Sequence, residues 1–104
     1  AEAIIIPSAF PLVRGAHWTT ITTCRAIENQ AYVAAISRVG VDGGVVFGGR
    51  SQIVDPYGVA VASISEIDEG LITAELSPDR VESVRQGMKV LQDRRPNLYE
   101  SWKR

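Results

Sequence analysis

Residues 3–7 (Ala-Ile-Ile-Ile-Pro) and 31–36 (Ala-Tyr-Val-Ala-Ala-Ile) are apolar runs with no polar alternation. A strand with one wet face alternates with period two, whereas an unbroken β-branched or apolar run belongs to a strand covered on both faces. Each of these strands therefore needs two covering layers. Between them, Trp18, Ile21, Cys24 and Ile27 recur at every third position and predict a helix over residues 16–29 with this stripe turned inward. Thr19, Thr20, Thr22 and Thr23 are weak helix formers, so burial of the stripe has to hold it. A second helix starts at Ser77-Pro78-Asp79, with Ser77 as N-cap, Pro78 in the first helical position and Asp79 facing the positive end of the helix dipole. It turns Val81, Val84 and Met88 inward and has ended before Pro96. Two helices are too few to cover both strands on both faces, so a second sheet or further helices must come from outside these 104 residues.

The middle of the chain reads as short strands and turns. Gly40, Gly43 and Gly44 punctuate a loop, and residues 45–47 and 52–54 are strand segments around Gly48-Gly49, where a bulge or a close backbone approach is expected. Asp55-Pro56-Tyr57-Gly58 places Pro and Gly where a type I turn wants them and predicts a hairpin into residues 59–63. A turn at Asp68-Glu69-Gly70 leads into the half-alternating residues 71–76, and the chain closes in an extended tail over residues 90–104. The order strand, helix, strand, hairpin-linked strands, helix is a mixed α/β (α+β) layered arrangement.

Composition removes several function classes. A net charge of -1 offers no footprint for nucleic acid, and the apolar runs are far shorter than the roughly 20 residues a membrane helix needs. One cysteine excludes an internal disulfide and one histidine argues against a zinc cluster, so no metal is expected and a reducing, cytoplasmic setting fits. The opening Ala1-Glu2-Ala3, without methionine, suggests a cut chain. Residues 44–51 match a phosphate-binding loop with Arg50 in place of lysine, but their interior is β-forming and leads into another strand rather than a helix. Cys24 with His17 and Glu28 could suggest a thiol nucleophile and its base. Seven helical residues separate Cys24 from His17 by roughly 10 Å, however, and a cysteine on an apolar stripe is a small core residue. Arg25, Glu28 and Asn29 read as a polar anchor between the helix and a neighbouring layer, and Arg94, Arg95 and Tyr99 as an interface segment.

These segments, taken in order, resemble one family. Pro7-Ser8-Ala9-Phe10, His17-Trp18, residues 25–30 (Arg-Ala-Ile-Glu-Asn-Gln), Ser37-Arg38-Val39-Gly40, residues 47–58 and residues 93–99 are similar to the second half of nitrilase-superfamily carbon-nitrogen hydrolases, in register over essentially the whole chain. The resemblance implies the C-terminal part of a four-layer α-β-β-α sandwich that pairs with a second subunit, with residues 90–104 at the dimer contact. It implies cleavage of a small-molecule amide or N-carbamoyl amide, less readily a nitrile, without a cofactor. It also implies a Glu-Lys-Cys triad, in which the glutamate is general base, the lysine stabilises the oxyanion and the cysteine forms a thioester. All three lie upstream of the strand matched by residues 3–7, in the missing N-terminal half, so this chain carries no catalytic position and is expected to be inactive alone. Ser8, Ala9 and Phe10 match substrate-contacting positions, and Arg25, Glu28, Asn29, Gly49, Ser51, Asp55 and Pro56 match framework positions. Ser37 stands where the family often has asparagine. Two other classes compete with this one: a short non-catalytic protein that pairs through the nitrilase-type dimer surface, and a nucleotide-binding module built on residues 44–51.

Overall fold

A computed structural model describes residues 1–102. In chain order it contains β1 (Ala3–Ser8), a 3-10 turn (Leu12–Arg14), α1 (Gly15–Asn29), β2 (Tyr32–Ser37), β3 (Val39–Asp42), β4 (Val45–Gly48), β5 (Gln52–Val54), β6 (Ala60–Ser63), α2 (Pro78–Gly87) and α3 (Pro96–Glu100). The two apolar runs pair as parallel strands, Ala3 beside Tyr32 through Ser8 beside Ser37, with α1 as the crossover. β5 adds antiparallel to the other side of β2 and β6 follows it, giving the order β1-β2-β5-β6, while β3 and β4 form a separate hairpin.

The α1 side of the sheet holds the core: Trp18, Ala26, Val33, Ala35 and Val54, with Ile4, Ile6 and Phe10 packed against them. The expected helical stripe is corrected here. α1 buries Gly15, Trp18, Thr22 and Ala26, whereas Ile21, Cys24 and Ile27 are exposed. A three-residue step falls short of a full turn by about 60°, so four such residues wind off one face, while a four-residue step overshoots by only about 40°. Thr22 is accepted inside because its hydroxyl donates to the Trp18 carbonyl at 2.8 Å and accepts from Gln52 Nε2 at 2.8 Å.

The opposite face of the sheet is partly open. Alternation along β1 and β2 puts Ile5 and Ile36 there, 69% and 52% exposed, together with Tyr32, which is 4% exposed and accepts from the Ser77 N–H at 3.2 Å. The runs that read as doubly buried are thus covered on this face only at the Tyr32 end within this chain. Residues 71–76, half-alternating in sequence, have no regular secondary structure and join neither sheet.

Other differences are local. The expected glycine loop at residues 40–44 is instead a hairpin, because Gly43 and Gly44 both adopt positive φ (56° and 79°) and close a two-residue turn that matches strand twist. Gly48 and Gly49 mark a close approach: a Cβ on Gly48 would lie 2.9 Å from Leu12 Cα. The turn at Asp55 closes as expected, with the Gly58 N–H donating to the Asp55 carbonyl at 2.9 Å ahead of β6. Ser77 caps α2, its hydroxyl accepting from the Arg80 N–H at 3.3 Å, and Val81 is buried, but Met88, expected inside, is 65% exposed beyond the helix end. The tail expected to be extended contains α3, which Pro96 starts from the first helical position. Among the described residues, no helix is long and apolar enough to cross a membrane.

Candidate functional site

Because β1 and β2 run parallel and in register, Ser8 and Ser37 end side by side at the carboxyl edge of the sheet. This is the edge where open α/β sheets hold ligands, since the loops leaving the strands diverge there. The loop that follows β1 is pinned on both sides. The Arg38 N–H donates to the Ser8 carbonyl at 3.1 Å and the Gly48 N–H to the Phe10 carbonyl at 2.9 Å. The Phe10 ring lies 5.4 Å from that of Trp18, whose Nε1–H donates to the Arg50 carbonyl at 3.0 Å. Ser8 and Phe10 are half-buried and Ala9 is exposed, so the three residues expected to meet substrate form one short loop with Ala9 at its crest.

Behind this loop, Ser51 fixes the end of β2 by accepting from the Ser37 N–H at 2.8 Å and donating to the Ser37 carbonyl at 3.2 Å. Ser37 keeps its own hydroxyl buried with no hydrogen-bond partner. A cavity of about 320 Å³ opens beside the same strand end, lined by Ser37, Arg38, Ser51, Asp68 and Gly70. Its lining carries both charge signs, Arg38 on one hand and Asp68 and Glu69 on the other, and Arg38 also pairs with Asp42 at 3.4 Å.

The remaining framework candidates occupy distinct places. Gly49 has φ 57° and is buried against Val39 and the carbonyls of Ser65 and Glu66. Asp55 is buried and saturated: Oδ1 accepts from the N–H groups of Tyr57 (2.8 Å) and Val59 (3.0 Å), and Oδ2 from Arg80 Nε (3.1 Å) and its terminal nitrogen (2.9 Å). Pro56 beside it is fully buried. Arg25 pairs with Glu28, and Asn29 Nδ2 donates to the Arg25 carbonyl at 2.9 Å, so these side-chain bonds stay inside α1 instead of reaching a neighbouring layer. Gln30, which sequence reasoning passed over, makes the tie between layers: its Nε2 donates to the carbonyls of Met88 (2.6 Å) and Val84 (3.4 Å) at the end of α2. No local signal marks it, since the contact spans more than fifty residues. Cys24, expected in the core, is exposed on α1, and His17 is exposed on the same helix.

The geometry is a strand-end pocket wall, and comparison with known proteins gives the chain its family. The carbon-nitrogen hydrolase family matches residues 2–86. The chain belongs to this family. A 2-oxoglutaramate amidase of Paenarthrobacter nicotinovorans is 40% identical over 95 residues, which are 91% of this chain and 32% of that protein. A deaminated glutathione amidase of Rattus norvegicus is 43% identical over 103 residues, 97% of this chain and 31% of that one. Among solved structures, Saccharomyces cerevisiae Nit3, of branch 10 of the nitrilase superfamily, superposes with TM-score 0.82 at 40% identity, over 91% of this chain and 35% of its own. The C. elegans NitFhit protein gives TM-score 0.82 at 38% identity, over 95% and 24%. This carbon-nitrogen hydrolase chain therefore has the nitrilase-type fold in part, and spans about a third of the length of the curated relatives, 32% and 31% of the two named above.

Proposed function

We propose that residues 1–104 are the C-terminal scaffold and one cavity wall of an amidase whose cysteine, glutamate and lysine lie on polypeptide outside this chain. The observation that carries the reading is the open sheet face. Ile5 and Ile36 stand exposed on strands whose sequence calls for a second covering layer, in a chain that spans a third of two amidases. Burying the exposed part of each isoleucine would contribute roughly 1–2 kcal/mol, and Leu71 and Ile72, which belong to neither sheet, line a cleft with Ala34 and Ile36. The carboxyl edge at Ser8 and Ser37 then faces the missing layer's active groups.

In the assembled enzyme the thiol, deprotonated by the glutamate, attacks the carbonyl carbon of an amide or N-carbamoyl amide, and the lysine holds the oxyanion. The C–N bond breaks as the nitrogen takes the proton and leaves as ammonia or an amine. Water, deprotonated by the same glutamate, then cleaves the thioester and regenerates the thiol. Ser8, Ala9 and Phe10 bound the substrate on this chain's side, and a second subunit is met through residues 90–104. A reducing cytoplasm keeps the thiol available.

The test is to express the chain with its upstream reading frame and follow ammonia release from 2-oxoglutaramate. The reading expects turnover that Ser8→Ala weakens chiefly through KM. An upstream frame with no cysteine, or full activity in the chain alone, refutes it.

A further inference from the structure

Arg38, the residue that follows β2, is fixed on both sides of its backbone. Its N–H donates to the Ser8 carbonyl at 3.1 Å and its carbonyl accepts from the Gly49 N–H at 3.0 Å, so its side chain leaves from a set point. Two groups then compete for the guanidinium. Asp42 Oδ2 lies 3.4 Å away, but the two side chains are 49% and 68% exposed, and an ion pair wetted to that degree contributes little. The Phe47 ring is the firmer hold. The guanidinium carbon stands 4.5 Å from its centroid, well within cation–π reach, and the planar fork of an arginine stacks on such a face.

Phe47 belongs to β4, in the hairpin that forms its own two-stranded sheet. What β4 meets is the loop after β1. Phe47 bridges Pro11 as an isolated antiparallel pair, and the Gly48 N–H donates to the Phe10 carbonyl at 2.9 Å. At Gly48 the two backbones touch with no side chain between them, since a Cβ there would stand 2.9 Å from Leu12 Cα and 3.3 Å from Leu12 N. Backbone packed on backbone has no rotamer to absorb a shift, so a displacement of β4 passes directly to residues 10–12. On its other side the Phe10 ring leans on Trp18, which is buried in the core. The loop is thus held between a fixed aromatic wall and a hairpin that Arg38 grips through one ring.

We propose that Arg38 is a positioning residue for the substrate. By stacking on Phe47 it holds β4, and through β4 it holds Ser8, Ala9 and Phe10 at the height where the amide is received. The inference rests on the amidase reading in which those three residues bound the substrate. Arg38 itself is assigned no bond to substrate, so its effect travels through the Phe47 ring and not through attraction of an anionic group.

Two measurements separate this inference from the amidase reading. Amide hydrogen exchange on the 104-residue chain reads the anchor without substrate. Arg38→Met keeps an unbranched stem and removes the charge, and is expected to speed exchange of the Gly48 N–H about two- to fivefold, the factor a part-exposed cation–π contact supplies, with α1 amides unchanged. Ammonia release from 2-oxoglutaramate by the chain extended with its upstream reading frame shows the consequence. Arg38→Met raises KM by up to the same factor with kcat nearly unchanged, because loop order lost with the anchor is restored at the expense of binding. Arg38→Lys, which keeps a cation over the ring, lies between the two in both measurements. In a Phe47→Leu background, where the ring is already gone, Arg38→Met has no further effect. Unchanged exchange at Gly48 or an unchanged KM overturns the proposal. So does a KM effect that persists undiminished in Phe47→Leu, which shows the charge acting on substrate, or an equal effect from Asp42→Asn, which shows the ion pair to be the hold. An extended enzyme that releases no ammonia while Gly48 exchange responds as stated refutes the amidase reading and leaves the anchor in place.

Discussion

Replacing Asp55 by alanine is expected to cost about 3 kcal/mol of folding stability. Four contacts converge on this one carboxylate, which is 3% exposed. Losing it orphans the Tyr57 and Val59 N–H groups, each at about 1 kcal/mol for a donor left unmade in a part-buried turn. The Arg80 guanidinium is about half exposed and returns largely to water, so its share is held to about 1 kcal/mol. Asp55→Asn keeps an oxygen for the two N–H groups but turns an amide toward the guanidinium, and falls between wild type and alanine at about 1–2 kcal/mol. Arg80→Ala costs about 1 kcal/mol in the wild type and less than about 0.5 kcal/mol once Asp55 is absent, a coupling that a double-mutant cycle isolates. Urea unfolding followed by tryptophan fluorescence supplies the four stabilities, because Trp18 is buried in the core that melts. A cost for Asp55→Ala within about 0.5 kcal/mol of zero, or no coupling to Arg80, refutes the joint between the β5–β6 turn and α2.

Two further substitutions probe the wall itself. Gly49→Ala places a Cβ 2.7 Å from Val39 Cγ1 and 3.0 Å from two backbone carbonyls at φ 57°, so a loss of about 2–4 kcal/mol is expected in thermal melts, against about 1 kcal/mol for Gly44→Ala, which has positive φ but open space. Trp18→Phe keeps most of the ring packing on Phe10 but removes the donor to the Arg50 carbonyl, and about 1–2 kcal/mol should be lost in urea unfolding, read by circular dichroism because the core tryptophan is gone.

The parts legible in the sequence were those decided by neighbouring residues. The cap at Ser77 and the turn at Asp55 follow from side chains bonding to backbone two or three residues away, and both stand where expected. The inner face of α1 was misread because a threonine, not an isoleucine, fills it, and only the position of Gln52 on β5 makes that threonine acceptable there. β3 was missed because its glycines read as loop, although the same Gly43-Gly44 pair closes a tight hairpin. The doubly apolar strands predict a second covering layer, and the exposed Ile5 and Ile36 lie on the face that the proposed layer would cover. At the pocket edge the register of β1 and β2 joins Ser8 to Ser37, which no spacing in the chain announces. Gln30 was invisible for the same reason, its partners lying on α2.

The central claim is that the attacking thiol is not on this chain. Ammonia release from 2-oxoglutaramate, measured on the purified 104-residue chain with Cys24 intact and with Cys24→Ala, tests it most directly. The account predicts no release above background from either protein, with Cys24 an exposed helix residue of no consequence. Turnover by the intact chain that disappears in Cys24→Ala would contradict it.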